Sequence, residues 1–86
     1  MARFYLHMKE GNHLIRDEEG YNVDDFDQAR ALAIRSAREL CAECIRTGMD
    51  ITIDAFVIAD EQGEQFAFVP LAEALPDWLR SSFGVR

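Results

Sequence analysis

Cys41 and Cys44 are spaced as a Cys-x-x-Cys pair, His7 and His13 flank a short turn, and Asp17-Glu18-Glu19 sets three carboxylates in a row. These are the residue types here that could do chemistry. A thiol pair becomes redox-active when a helix N-terminus or a nearby cation lowers a thiol pKa. A zinc site would need further ligands, and no second Cys/His pair completes one. Adjacent carboxylates suit hard cations, but the spacing does not match a calcium-binding loop. Ser36, Ser81, Ser82, Thr47 and Thr52 lack the sharp strand-to-helix turn that exposes a nucleophile. No glycine-rich phosphate loop is present.

Each of these groups depends on the element that carries it. Phe4, Leu6 and Met8 alternate with Arg3, Tyr5 and His7, which reads as a strand. Gly11-Asn12 suits a two-residue hairpin loop, and Leu14-Ile15-Arg16 reads as the return strand. With an even loop, His7 and His13 fall on opposite faces of the sheet and cannot chelate one metal. Asp17-Glu18-Glu19-Gly20 then reads as a solvated, charged turn, with Tyr21 and Val23 as a short extended piece.

The helix has the strongest signal. Asp25 caps it and Gln28 stands three residues on, as in a capping box. Asp24, Asp25 and Asp27 are therefore helix-start chemistry, since negative charge suits the first turn. Phe26, Ala29, Ala33, Ala37, Leu40, Cys41, Cys44 and Ile45 form one apolar stripe, flanked by Ile34, with Arg35, Glu39, Glu43 and Arg46 opposite. Both thiols lie deep in the helix on that stripe, as reduced core cysteines do. Gly48 marks the end. A helix of about 22 residues is roughly 33 Å long, and a strand of six residues covers ~20 Å. The helix is expected to lie diagonally or to overhang the sheet.

A second hairpin follows, with strands over 51–59 and 64–69. Between them, Asp60-Glu61-Gln62-Gly63 is expected to form a type I turn closed by a glycine bulge. If Asp60 pairs with Glu64, Ile58 faces Phe66 and Phe56 faces Phe68 under the helix. Ala55, Val57, Ala67 and Val69 then form the other face with Tyr5, His7 and Leu14. That face is only half polar, whereas an open antiparallel sheet usually turns a polar face to water. Its two candidate covers are the C-terminal segment, with Leu71, Leu75, Trp78, Leu79 and Phe83, and a second subunit.

The expected fold is thus α+β: a four-stranded antiparallel sheet in ββαββ order with one long helix on one face. One domain spans residues 1–75, and 76–86 form a C-terminal tail or short helix. Candidate interface residues are Tyr5, His7, Leu14, Val57, Val69 and Trp78. Trp78 could instead close the core.

Composition narrows the function. Sixteen acidic residues against nine basic ones give a net charge of −7. That field repels polyphosphate, which argues against DNA or RNA binding and for a basic protein partner. No apolar run approaches the ~20 residues of a membrane span, and the N-terminal run is too short and interrupted for a signal peptide. Two cysteines do not make a secreted disulfide framework, so a reducing, cytoplasmic location is expected.

Arg3-Phe4-Tyr5-Leu6-His7, then Leu14-Ile15-Arg16-Asp17-Glu18-Glu19-Gly20, then an Ala/Arg/Leu-rich helix resemble a family of short bacterial proteins catalogued as a domain of unknown function. The resemblance covers about the first 75 residues, with Asp-Glu-Glu-Gly its most specific part. It implies a small α+β domain with no assigned activity, and no catalytic residues carry over. The strand pair, acidic turn and amphipathic helix are also similar in topology to the partial ribonuclease-H-like domain of HicB-type antitoxins, which neutralise a basic toxin. The leading expectation is a non-enzymatic protein-binding or regulatory module without cofactor or metal, acting on a protein partner or as a homodimer. The alternatives are an antitoxin-like protein and a small enzyme with its site around His7.

Overall fold

The alternation of Phe4, Leu6 and Met8 with Tyr5, His7 and Lys9 is realised as a nine-residue strand, β1 (Ala2–Glu10), around which the domain is built. The computed structural model describes residues 2–82, with side chains as far as Arg80. Gly11-Asn12 turns β1 into β2 (His13–Ile15), with Glu10 opposite His13. Gly11 leads the loop at φ 59°, a conformation glycine adopts without steric cost.

The short extended piece at Tyr21 is a paired strand, β3 (Tyr21–Val23), opposite Ala2–Phe4 of β1. β2 and β3 therefore run in line along the same edge of β1, interrupted by the acidic turn. On the other edge lies β4 (Ala55–Ala59), followed by β5 (Gln65–Pro70) at the sheet margin. All pairings are antiparallel.

The helix α1 (Phe26–Thr47) has the expected bounds and caps. Asp25 Oδ1 accepts the Gln28 N–H at 2.9 Å. The reciprocal bond falls one residue early, from the Asp24 N–H to Gln28 Oε1 at 3.0 Å. Gly48 ends the helix in the left-handed region at φ 74°. Ala29, Ala33 and Ala37 are buried to 1% exposure or less, and these small side chains let α1 lie close on the sheet. Beneath it are Phe4, Leu6, Phe56 and Ile58. Ile45, expected in the stripe, is 65% exposed.

The second hairpin departs from expectation in register. Asp60 does pair with Glu64, its N–H bonding the Glu64 carbonyl at 3.0 Å, and Gly63 closes the turn at φ 84°. A bulge at Ile58/Ala59 then shifts the ladder by one residue: Ile58 faces Ala67, Val57 faces Phe68 and Phe56 faces Val69. Val69, expected at an interface on the outer face, is instead core at 1% exposure, and Ala67 packs against the core. Phe68 turns to the outer face. Phe66, skipped by the ladder, meets Phe4 and Phe26 edge-on at 6.1 and 6.2 Å, completing a trio with the Phe4–Phe26 contact at 6.3 Å. Two aromatic edge contacts contribute ~1–3 kcal/mol, enough to offset one lost ladder hydrogen bond at ~1 kcal/mol.

Ile51 to Asp54, expected in the third strand, forms no strand. Asp54 instead works as a tie. Its carboxylate accepts the Gly11 N–H at 2.8 Å, its N–H bonds the Lys9 carbonyl at 2.8 Å, and its carbonyl accepts the Leu71 N–H at 2.9 Å.

After β5 the chain forms a 3-10 turn (Leu71–Ala74) and α2 (Asp77–Ser82). Leu71 and Ala74 join the core under α1, and the Ala74 carbonyl accepts Arg38 Nε at 2.7 Å. Leu79 of α2 borders a small apolar hollow with Cys41 and Ile45 of α1. The tail thus packs on the helix side, not over the outer face of the sheet. Leu71 and Ala74, rather than Trp78, close the core, and Trp78 is 70% exposed. Phe83 lies outside the described residues.

Candidate functional site

The outer face carries Tyr5, His7 and Lys9 from β1, Leu14 from β2, Ala55, Val57 and Ala59 from β4, and Phe68 from β5. His7 pairs across to Val57 and Val57 to Phe68, so an apolar strip on β4 and β5 meets the His7 ring on β1. Val57, Ala55 and Ala59 are buried by their neighbours, while Phe68 is 55% exposed. Among the described residues no helix lies over this strip. Of the six expected interface residues, the structure brings Tyr5, His7, Leu14 and Val57 to this face. It places Val69 under α1 and Trp78 on the tail.

At one end of the strip the Asp17-Glu18-Glu19-Gly20 turn does structural work that a solvated turn would not. Asp17 Oδ2 accepts the Leu6 N–H at 3.1 Å, filling the gap in the edge ladder between β2 and β3. Its Oδ1 accepts the N–H groups of Glu19 at 3.2 Å and Gly20 at 3.1 Å. Gly20 sits at φ 76°, and a Cβ there would come within 2.9 Å of the Tyr5 ring and 3.1 Å of the Phe4 carbonyl. Only glycine fits both the backbone and the packing. The sequence signal was present in a Asp-x-x-Gly turn, but its three donors come together only through the β1 pairing.

His7 is the buried polar group of this face, 7% exposed. Its ring stacks on Tyr5 with centroids 6.3 Å apart. The Asp17 N–H donates to Nδ1 at 3.0 Å, so the neutral ring carries its proton on Nε2. Burial, then the Arg16 guanidinium, hold the His7 pKa below 6.5 against the opposing pull of Asp17. His7 borders a hollow of about 260 Å³ with Tyr5, Arg16, Glu18, Asp60 and Glu61. A concavity joining His7, Tyr5 and Arg16 to carboxylates is thus present. Chemically it offers a fixed N–H donor rather than a base, because Nδ1 is occupied and Nε2 is protonated. His13 pairs with Glu10 and falls on the opposite face.

The remaining candidates stay apart. Cys41 is buried in the body of α1 and Cys44 is half-buried in its last turn, both as free thiols. Burial, then the neighbouring Cys44, push the Cys41 thiol up, opposite to a redox-activated pair. Among the described residues, no group of three or more His, Cys, Asp or Glu side chains could hold a metal ion. No helix among them is long and apolar enough to cross a membrane.

With this geometry established, residues 3–72 match the model of a family described as Domain of unknown function (DUF6894). The chain belongs to the DUF6894 family. The match runs from β1 of the DUF6894 domain to the 3-10 turn, and so includes both hairpins, α1 and the Asp17–Gly20 turn. No curated protein and no solved structure matches the chain.

Proposed function

We propose that this DUF6894 chain is a non-enzymatic protein-binding module that holds a partner on the outer face of its sheet. One observation carries the reading: Phe68, 55% exposed, stands out from a face otherwise lined by Val57, Ala55 and Ala59, with no helix over it among the described residues, where a bare antiparallel face would ordinarily be polar. An exposed apolar surface rimmed by charge is what a contact surface requires. The net charge of −7 favours a basic protein over nucleic acid or an anionic membrane. Self-association through the same face is the second reading. It is favoured by β5, which is the outermost strand among the described residues and carries the exposed Phe66 and Phe68. An antitoxin role is a narrower form of the first reading, with a small basic toxin as partner.

The non-enzymatic part rests on His7. With Nδ1 held by the Asp17 N–H, the neutral ring cannot pair with a carboxylate to act as an oriented base. The Asp17 carboxylate is itself committed to three backbone donors.

The test compares what the wild-type protein and Phe68→Asp capture. Phe68 is exposed, so the substitution leaves the fold in place. A partner lost by Phe68→Asp and retained by Ile45→Asp, on the helix side, is the expected result. Equal capture by all three proteins overturns the reading.

A further inference from the structure

The hollow between the two acidic turns has a feature that neither turn explains. Asp17 and Asp60 open their turns in the same way, each spending Oδ1 on two backbone N–H groups; those of Asp60 come from Gln62 and Glu64, both at 2.9 Å. The next residue in each turn, Glu18 and Glu61, is exposed, and its side chain makes no hydrogen bond or ion pair among the described residues. Between these carboxylates lies His7, more than nine-tenths buried. Its Nδ1 is satisfied, and its Nε2–H has no partner among the described residues. No buried side-chain nitrogen lacks both partner and solvent, so this N–H opens onto the hollow. In the free protein this N–H faces water in the hollow, and a neutral acceptor seated there would take the place of that water.

We propose that the hollow seats a lysine or arginine side chain of an extended peptide segment, its cation between Glu18 and Glu61 and a main-chain carbonyl accepting the His7 Nε2–H. The proposal rests on the reading of the outer face as a protein-binding surface and names the chemistry of the partner. Four carboxylates (Asp17, Glu18, Asp60 and Glu61) outweigh the single guanidinium of Arg16 around the hollow, so an anionic ligand is disfavoured. A polyamine or bare cation would answer the carboxylates but leave the histidine donor to water. A peptide supplies both a cation and, a few bonds away, a neutral acceptor. The Tyr5 ring in the wall offers a further surface for the cation.

The test is an NMR titration of the full chain, labelled with nitrogen-15, with a short acetylated and amidated peptide alternating lysine and valine. The expected result is movement of the Glu18, Glu61 and Gly63 amides and the His7 ring nitrogens, with no such movement for the matching glutamate–valine peptide. Glu18→Gln with Glu61→Gln weakens binding about threefold or more, while Glu39→Gln with Glu43→Gln on α1, the same change of charge, does not. Amide spectra of both variants, unchanged away from the substitutions, establish that they are folded. Equal weakening by the two pairs means a diffuse charge effect and overturns the proposal. So does movement confined to α1, or an equal response to free lysine, which would make the occupant a small zwitterion. None of these outcomes touches the Phe68→Asp comparison, so the hollow can fail while the outer face stands.

Discussion

Asp17 is a single side chain on which three backbone donors converge. Removing it leaves the Leu6 N–H unmet within a partly buried ladder and releases the Glu19 and Gly20 N–H groups. Asp17→Ala is expected to cost about 2–3 kcal/mol by urea unfolding, given typical costs for charge-assisted bonds. Asp17→Asn, which keeps one acceptor oxygen, should cost less. Equal stability of Asp17→Ala and wild type would show that the turn holds itself. His7 adds a pH dependence. The groups around it are Tyr5, Arg16, Asp17, Glu18, Asp60 and Glu61. Its folded pKa lies below 6.5, so the unfolded chain binds the proton more readily. Stability is therefore full above pH 6.5 and falls as pH drops through the lowered folded pKa. Protonation of Nδ1 would also remove the acceptor for the Asp17 N–H. The check is urea unfolding at pH values on either side of 6.5, together with the His7 ring shift, whose midpoint should lie below 6.5. A flat stability across that range would rule the linkage out.

At the scale of elements, α1 and the sheet meet through alanines rather than large side chains. Ala33 is fully buried where the helix crosses the sheet. Ala33→Leu must push α1 away from the sheet, and a loss of about 1–3 kcal/mol is expected. Ile45→Ala, at an exposed position in the last turn of α1, should change stability by less than about 0.5 kcal/mol. Thermal unfolding of the two variants checks this, and similar losses would mean that Ile45 is packed. Hairpin legibility stopped at the bulge. Asp60–Gly63 named the turn, and Asp60 does pair with Glu64, yet one skipped residue exchanged Val69 for Phe68 on the outer face. Because side chains alternate, a one-residue shift flips every residue beyond it. No local pattern in Glu64-Gln65-Phe66-Ala67-Phe68-Val69 announces the shift. It is set by Phe66 reaching Phe4 and Phe26, which come from far away in the chain.

For the whole molecule, charge and surface act in opposite senses. Two copies meeting on the outer face bring together two charges of −7, which repel, while the exposed Phe68 of the edge strand β5 attracts. Salt screens the repulsion with a Debye length of about 8 Å at physiological strength. Light scattering is therefore expected to show a mass that rises above 9.8 kDa with protein concentration, more steeply as salt is added. Phe68→Asp should hold it at the monomer value. A constant monomer mass for wild type at every salt and concentration would remove self-association and leave the face to a different partner. By itself the sequence determined the α+β class, the order of hairpins around α1, the caps at Asp25 and Gly48, the turns at Gly11 and Gly63, and the burial of Cys41. Each of these follows from periodicity or from backbone preferences that act within a few residues. Only the tertiary structure decided that Asp17 bridges a broken edge, that Val69 is core and Phe68 is not, that the tail packs against α1, and that His7 stands between two acidic turns with its Nε2–H open to the hollow. Those features depend on which distant segments meet. In an 86-residue chain with a thin core, a single bulge or one carboxylate in a ladder gap is enough to redirect them.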